Sequence, residues 1–373
     1  MILDQLEELN QNLIIRQEDN DYSTEPLFFH LRNKEEESNF SSFLEAHPAI
    51  KVFDELASQL EELVKVRNPT IKYEEAGLRE VSNKYLNNCP EWAYGVWVYY
   101  PWNKHLIHLL DEEEFVELRT SRNLYKITKE EQQLLATKKI GVIGLSVGQS
   151  VALTLAMERS FGELRIADFD TLELSNMNRL RTGLHHLGIP KTVIAAREIS
   201  EIDPYLKVSC YHEGITKENI NDFVHKGGAL DLIIDECDSL DIKILCRKIA
   251  RQAGIPVLMD TSDRGMIDIE RFDLEKERPI FHGMIEESIP EEVLQDSSLR
   301  VKLSQQIIGV QNVSERMKVS LAEIGKSIST WPQLASAVAM GGGMTAELSR
   351  EILLGTRTSS GRFYINPLEI IKD

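Results

Sequence analysis

Residues 139–149 read KIGVIGLSVGQ, and they contain the clearest local signal of the fold class. Its first part is a short apolar run, which is typical of a buried β-strand, and a glycine-containing turn leads from it into a helix over Val147–Ser160. A second short strand follows over Leu164–Asp168. A strand, a helix and another strand at this spacing predict a βαβ unit with parallel strands.

Strands and helices continue to alternate after this unit. Helices are predicted over 192–202, 215–225 and 242–253, and strands over 207–212, 230–235 and 256–259. Such alternation predicts an α/β fold with a doubly wound, mostly parallel Rossmann-like sheet.

The sequence before this sheet predicts an α+β accessory region over 1–125. It begins with a polar, acidic arm up to about residue 45, which we expect to be loosely packed or dependent on a partner. Apolar residues at helical spacing predict an amphipathic helix over 47–67. Aromatic and β-prone residues predict a hairpin over 94–110.

The sheet domain is predicted to cover 126–300, and it opens with a helix near Thr128, where Glu131 completes a capping box. Residues 301–373 form a mainly helical C-terminal segment. Its long helix near 331–354 contains Gly341–Gly343, which predict a kink or a close helix contact. A terminal strand over 362–365 is expected to return to an edge of the structure.

Composition narrows the classes of function. The chain has 42 Lys and Arg against 60 Asp and Glu, a formal net charge of −18, which argues against a nucleic-acid partner or an anionic membrane surface. Apolar stretches are too short to cross a bilayer. The four cysteines form no CxxC pair and no secretory leader is recognised, so we expect a reduced, cytoplasmic setting and no structural zinc.

The turn after the first strand is a candidate phosphate site. Gly144, Ser146 and Gly148 place backbone N–H groups and a helix N-terminus where they can bind an anion. The dinucleotide spacing G-x-G-x-x-G is not matched, so a purely structural turn is the alternative. Asp168 follows Gly144 by 24 residues and ends the second strand, where a carboxylate suits a ribose hydroxyl, and Asp170 lies beside it.

Three ordered motifs make the nucleotide interpretation more specific. They are DFDTLELSNMNR at 168–179, GIPK at 188–191 and DECD at 235–238. Together they resemble the D-x-D-x-V-x-x-S-N-L-x-R-Q segment, the G-x-x-K lysine and the D-x-x-D-N motif of the ThiF/MoeB/HesA ubiquitin-activating-like superfamily. The C-terminal part, over 331–364, resembles bacterial ThiF-domain proteins whose longer relatives carry a nitroreductase-like domain.

The resemblance implies roles for individual residues. Asp168 would bind ribose, Asn176, Arg179 and Lys191 would contact the triphosphate, and Asp238 would hold Mg²⁺ directly or through water. An upstream arginine often reaches the ATP of the partner subunit in this family; Arg122 is the candidate here, with Arg119 and Lys126 as competitors. Ser239 departs from the family asparagine, and Cys237 and Cys246 are expected to be buried small hydrophobes rather than nucleophiles.

The implied activity is that of an adenylyltransferase. Mg-ATP would activate a carboxylate, such as the C-terminus of a small protein or peptide, as an acyl-adenylate with release of pyrophosphate, and the enzyme would be a homodimer. Attack of a carboxylate on a phosphate brings two anions together, which is why cations such as Arg179 and Lys191 are needed. The alternatives are a catalytically silent nucleotide-binding scaffold, a dehydratase of a modified tRNA nucleoside that uses ATP, and an NAD(P)-dependent oxidoreductase.

Overall fold

The computed structural model describes residues 22–289, 296–356 and 359–371. The chain divides into two compact units, residues 1–122 and residues 123–373. Among the described residues, no helix has both the length and the apolar character that a membrane crossing requires.

The first unit contains a four-stranded sheet. Its strands are β1 (Leu27–Phe29), β2 (Lys51–Asp54), β3 (Val96–Tyr100) and β4 (His105–Leu109), in the order β1-β3-β4-β2. Its helices are α1 (Lys34–Ala46), α2 (Leu56–Arg67), α3 (Glu75–Tyr85) and α4 (Glu112–Arg119). Strands β3 and β4 pair in antiparallel register, as predicted for the aromatic hairpin, and every residue of β3 is buried.

The structure bears on two expectations for this region. In the described part of the acidic arm, Asn33 caps α1, and Phe40 and Phe43 of that helix contact Phe29, but no residue of α1 is buried. Residues 1–21 of the arm lie outside the described residues. The helix predicted over 47–67 begins only at Leu56, because residues 51–54 pair with β4, and this backbone pairing outweighs their helical apolar spacing.

The second unit is built on a seven-stranded sheet. Its strands are β5 (Lys139–Ile143), β6 (Glu163–Ala167), β7 (Lys207–Tyr211), β8 (Leu232–Asp235), β9 (Val257–Thr261), β10 (Met266–Glu270) and β11 (Gly361–Tyr364). The order is β11-β10-β9-β8-β5-β6-β7. The five strands from β9 to β7 are parallel, and the pairs β9–β10 and β10–β11 are antiparallel. The doubly wound, mostly parallel sheet is therefore confirmed, and the sequence missed only β10 within it.

Helices connect these strands and follow them. They are α5 (Lys129–Leu135), α6 (Gly148–Glu158), α7 (Lys191–Ile202), α8 (Ile220–His225), α9 (Leu240–Ala253), α10 (Ser297–Ile308), α11 (Glu315–Glu323), α12 (Ala335–Leu353) and α13 (Pro367–Ile370). The capping box at Thr128 and Glu131 is present, as predicted. Helix α8 starts five residues later than predicted.

Buried side chains pack on both faces of this sheet. Ile140, Val142 and Ile234 belong to one apolar cluster, whereas Ile143 and Ile233 belong to another. Neighbouring residues of a strand point to opposite faces, so the two clusters are the two layers of the core. This burial explains why the strands are continuous apolar runs rather than alternating ones.

The C-terminal segment is part of the second unit. Strand β11 pairs with β10 at the sheet edge, and α12 contributes Ala346 and Ile352 to a core cluster. The predicted kink at the three glycines is wrong, since α12 continues through them. The alternative expectation, a close contact, is correct: a Cβ on Gly341 would lie 2.0 Å from Asp260 Oδ2, and one on Gly342 would lie 2.4 Å from Ser150 Oγ.

Candidate functional site

The candidate site lies where the strand order reverses. Strand β5 lies between β6 and β8, and the chain leaves β5 toward β6 before returning to β8. Crevices form at the carboxyl ends of strands at such a point, and ligands of open α/β sheets bind there. The backbone joins the two ends directly, because Glu236 N–H donates to Ile143 O at 2.8 Å.

Gly144 makes the turn after β5 possible. Its φ of +88° is in the left-handed region, and an added Cβ would lie 2.7 Å from the backbone of Glu236 and Cys237. Only glycine avoids both the conformational strain and this clash. The turn then runs through Ser146 into α6, whose first residue is Gly148 and whose N-terminus has no side-chain cap. Uncapped N–H groups at a helix N-terminus favour an anion.

Asp168 fixes the shape of this turn from the end of β6. Its carboxylate accepts from Leu145 N–H at 2.6 Å and from Asp170 N–H at 2.8 Å. Burial raises the pKa of the Asp168 carboxyl, and the nearby Lys191 charge and these N–H groups oppose that effect. Asp168 therefore already has a structural role, in addition to the ribose contact predicted for it.

Arg179 closes the other side of the turn. Its Nη2 donates to Ser146 Oγ at 2.7 Å, and its Nη1 donates to Asn178 Oδ1 at 2.9 Å. Both acceptors are neutral, so these bonds orient the guanidinium without cancelling its charge. Burial lowers the pKa of Arg179, whereas the charge of Asp238 raises it. An anion at this turn would give the guanidinium a charged hydrogen-bond acceptor.

Lys191 is held differently. It is 5% exposed, and its Nζ donates to Asp170 Oδ2 at 2.8 Å. Asp170 is 53% exposed at its side chain, so the pair connects a buried cation to the surface of the crevice. A phosphate that bound Lys191 would have to compete with this carboxylate.

The structure brings together most of the predicted site residues. Gly144, Ser146, Gly148, Asp168, Asp170, Arg179 and Lys191 are joined by the contacts above, and Asp238 is exposed beside Arg179. Asn176 lies in the same loop, where its Oδ1 accepts from Glu173 N–H at 3.1 Å. Arg122 belongs to the other compact unit, where it is exposed on a 3-10 turn, Ser121–Asn123.

Sequence reasoning missed three features of this crevice. Phe169 is 74% exposed between the two aspartates. Asn178 connects Arg179 to Gln333 O, to which its Nδ2 donates at 2.8 Å. Glu236, which directly follows β8, and Asp260, near the end of β9, form a carboxyl pair, and Glu236 Oε1 accepts from Asp260 N–H at 3.0 Å. The sequence feature that could have predicted this pair is an acidic residue at the end of each of the two strands.

The environment of this carboxyl pair favours its protonated form. Burial raises the pKa of Asp260 to about 6, and burial together with the Asp260 charge raises the pKa of Glu236 well above its ordinary value. Asp260 is 5% exposed, whereas Glu236 is half-buried. Among the described residues, no cluster of three or more metal-ligating side chains is found.

Cys237 and Cys246 lack the environment of a reactive thiolate. Burial raises the pKa of Cys246 to about 12, and burial with the neighbouring Asp235 charge raises the pKa of Cys237 well above its ordinary value. The Cys237 thiol donates to Asp235 Oδ1 at 3.1 Å. Both thiols are therefore held protonated, which argues against nucleophilic roles.

Comparison with known proteins identifies the family. The family model described as "ThiF family" matches residues 119–368. An uncharacterized protein of Mycobacterium tuberculosis, MT1398, is 42% identical over 272 residues, which are 72% of this chain and 38% of that protein. The tRNA threonylcarbamoyladenosine dehydratase of Bacillus subtilis is 28% identical over 155 residues, which are 41% of this chain and 60% of that enzyme.

A further relative is the ubiquitin-like modifier-activating enzyme 5 of Bombyx mori. It is 26% identical over 144 residues, which are 36% of either chain. This chain thus spans less than two thirds of the length of these curated relatives. The family model covers well over half of the chain, and it includes the whole sheet, the turn at Gly144 and all three motifs. The chain belongs to the ThiF family, with the adenylyltransferase-like fold of that family.

Proposed function

We propose that this protein is an adenylyltransferase that uses Mg-ATP to activate a carboxylate, such as the C-terminus of a small protein or peptide. The product is an acyl-adenylate, and pyrophosphate is released. The observation that carries this proposal is the Arg179 guanidinium, which is oriented by neutral acceptors at the uncapped N-terminus of α6. A guanidinium that is oriented by neutral acceptors is stabilised when a phosphate binds beside it.

The other site residues suit the same substrate. Asp168, at the carboxyl end of β6, is the acceptor for a ribose hydroxyl. Lys191 and Asn176 would complete the contacts to the triphosphate. Asp238 is exposed near Arg179, and one carboxylate together with phosphate oxygens suits Mg²⁺, which keeps several of its waters. Bound Mg²⁺ would neutralise charge on the pyrophosphate leaving group.

The acid–base requirements of this reaction are small. A carboxylate acceptor is already ionised at neutral pH, so no general base has to remove a proton from it. The site needs positive charge and a fixed geometry, and both are features of the turn at Arg179. This agrees with the protonated thiols of Cys237 and Cys246, since the adenylation step requires no protein nucleophile.

We also propose that the enzyme is a homodimer, in which Arg122 of one protomer reaches the ATP of the other. A second candidate function is that of a tRNA-nucleoside dehydratase, the activity for which the Bacillus subtilis relative is named. The net charge of −18 makes an RNA substrate less favourable. A silent scaffold would bind ATP but release no pyrophosphate, and an oxidoreductase would prefer NAD(P).

The first experiment is calorimetry with Mg-ATP, NAD and NADP on the wild type and on Arg179→Ala. We expect ATP alone to bind, and the variant to weaken that binding by about 10- to 150-fold, since a hydrogen bond to a charged group contributes about 1.5–3 kcal/mol. Lys226→Ala, which removes an exposed lysine directly after α8, is the matched control and should bind ATP like the wild type. Preference for NAD, or binding that Arg179→Ala leaves unchanged, would contradict the proposal.

ATP–pyrophosphate exchange then separates an active enzyme from a silent scaffold. Exchange that depends on an added peptide carboxylate is the expected result. Exchange that depends only on tRNA would instead favour the dehydratase.

A further inference from the structure

A cavity of about 310 Å³ lies against Arg179. Its walls are the outer face of α6, residues 177–181, the end of α7 and the first turns of α12. Most of the surface is apolar and comes from six larger side chains: Leu153, Met157, Met177, Leu180, Ile202 and Val338. The volume is at the lower end of the range for small-molecule sites, about 300–1,000 Å³, so it suits one bulky side chain rather than a folded partner.

The polar part of the lining has only one sign of charge. It consists of neutral side chains and the two cations Arg179 and Arg181, and it includes no carboxylate. This composition is unusual for a chain with 60 Asp and Glu against 42 Lys and Arg. Arg179 bonds to neutral acceptors, as described above, and no hydrogen bond or ion pair of Arg181 is found among the described residues. The cavity therefore complements a ligand with an apolar body and an anionic end.

We propose that this cavity is the acyl subsite, and that it selects a carboxylate whose terminal residue has a bulky apolar side chain. This inference rests on the proposed function and names its substrate class. The side chain fills the apolar volume, and the carboxylate faces Arg179, beside the turn that binds the nucleotide. A terminal glycine would leave the volume empty and lose the free energy of burying apolar surface.

The reaction that follows from this placement is balanced. A carboxylate oxygen forms a bond to the α-phosphorus of ATP, and the bond from that phosphorus to the oxygen bridging to the β-phosphate breaks. Pyrophosphate leaves with the electron pair. No proton or electron is exchanged, so no further reactant is required.

The test uses N-acetyl-L-leucine as the probe, titrated calorimetrically into the intact protein saturated with a non-hydrolysable ATP analogue and Mg²⁺. N-acetylglycine lacks the apolar side chain, and N-acetyl-L-leucine amide lacks the charge. We expect N-acetyl-L-leucine to bind at least tenfold more tightly than either compound. Equal binding of N-acetylglycine, or no binding of N-acetyl-L-leucine while ATP still binds, would overturn the acyl subsite.

Variants connect the binding to this cavity. Ala339 lines the cavity on α12, so Ala339→Phe should fill it and weaken N-acetyl-L-leucine at least tenfold, with the Kd of ATP within twofold. Ser336→Phe places the same ring on an exposed position of α12 outside the lining and should behave like the wild type. Arg181→Ala, an exposed substitution that should not disturb folding, is expected to weaken the probe about fivefold.

The remaining outcomes distinguish this inference from the proposed function. Loss of ATP binding in Ala339→Phe would assign the cavity to the nucleotide and overturn the acyl subsite alone. A change of molecular mass in Ala339→Phe by light scattering, with unaltered probe binding, would assign the cavity to a contact between copies of the chain. A wild type that binds no ATP would refute the proposed function itself.

Discussion

At the scale of single residues, the two predicted phosphate-binding cations differ in the charge of their hydrogen-bond acceptors. Arg179 is bonded to the neutral Ser146 and Asn178, whereas Lys191 is paired with the carboxylate of Asp170. The first is ready for an anion, and the second must exchange one anionic partner for another. We therefore expect Arg179 to contribute more to ATP affinity than Lys191.

Phe169 is the residue for which exposure suggests a ligand contact. Its ring is 74% exposed between Asp168 and Asp170, and a Cβ on Gly214 would lie 3.0 Å from its Cδ1. Stacking of a base on an aromatic side chain contributes about 1–3 kcal/mol. We expect Phe169→Ala to weaken ATP binding by about 5- to 150-fold in calorimetry, with an unchanged Tm. Phe169→Tyr, which keeps the ring, should retain the affinity, and unchanged binding in the alanine variant would rule out a base contact.

Glu198 predicts a pH dependence of stability. Burial raises the pKa of this carboxyl to about 7, and Gln149 Nε2 donates to its Oε2 at 2.7 Å. The folded state keeps the proton to higher pH than the unfolded state, so this group favours folding at low pH. Its contribution is present below about pH 4.5 and is lost as the pH rises to about 7.

The measurement is urea unfolding of the wild type and of Glu198→Gln at pH values from 5 to 8. The amide keeps the acceptor for Gln149 and cannot ionise. We expect the variant to be more stable at pH 8 by on the order of 2 kcal/mol, and the difference to shrink toward pH 5. A difference that does not vary with pH would show that Glu198 has an ordinary pKa in the folded protein.

At the scale of elements, the glycines of α12 determine how closely this helix approaches the sheet. A Cβ on Gly341 would lie 2.0 Å from the Asp260 carboxylate, whereas a Cβ on Gly343 has no atom within 4 Å. Both positions are helical, so alanine gains the same intrinsic helix propensity at each, about 1 kcal/mol. The difference between the two substitutions therefore reports packing alone.

We expect Gly343→Ala to be neutral or to stabilise the protein by up to about 1 kcal/mol. Gly341→Ala should destabilise it by about 1–3 kcal/mol, because overpacking forces buried neighbours to shift. Chemical denaturation of both variants measures this contrast. Similar stabilities would mean that α12 does not lie against Asp260 as closely as described.

At the scale of the whole molecule, the prediction concerns the proposed homodimer. Arg122 is the last residue of the first unit, and its proposed role is to reach the ATP of the other protomer. We expect light scattering to give the mass of a dimer, and Arg122→Ala to lower the rate of pyrophosphate exchange by at least tenfold with its mass unchanged.

Arg79 provides the control for that experiment, since it is an exposed arginine of the same unit, on α3. Arg79→Ala should leave exchange at the wild-type rate. The dimer mechanism is refuted by a monomer that is fully active, or by an Arg122→Ala enzyme with the wild-type rate. Arg119 or Lys126 would then be the next candidate for the same role.

The sequence alone determined the class of the fold and the composition of the candidate site. The apolar runs from Lys139 to Met259 are local signals, because a strand buried on both faces must be apolar along its whole length. The motifs at 168–179 and 235–238 are equally local, since each places its polar residues directly after a strand. The left-handed φ of Gly144 and the cap at Thr128 also depend only on neighbouring residues. The close approach of Gly144 to the backbone of Glu236 and Cys237, in contrast, joins distant segments.

Features that depend on contacts between distant residues follow only from the folded chain. Strand β2 forms instead of a helix because its backbone pairs with β4, and β10 forms because it pairs with β9 and β11. The carboxyl pair of Glu236 and Asp260, the contact of Gly341 with it, and the cavity beside Arg179 each join segments far apart in sequence. No local pattern encodes such contacts, because burial and electrostatic environment arise only when the chain is packed.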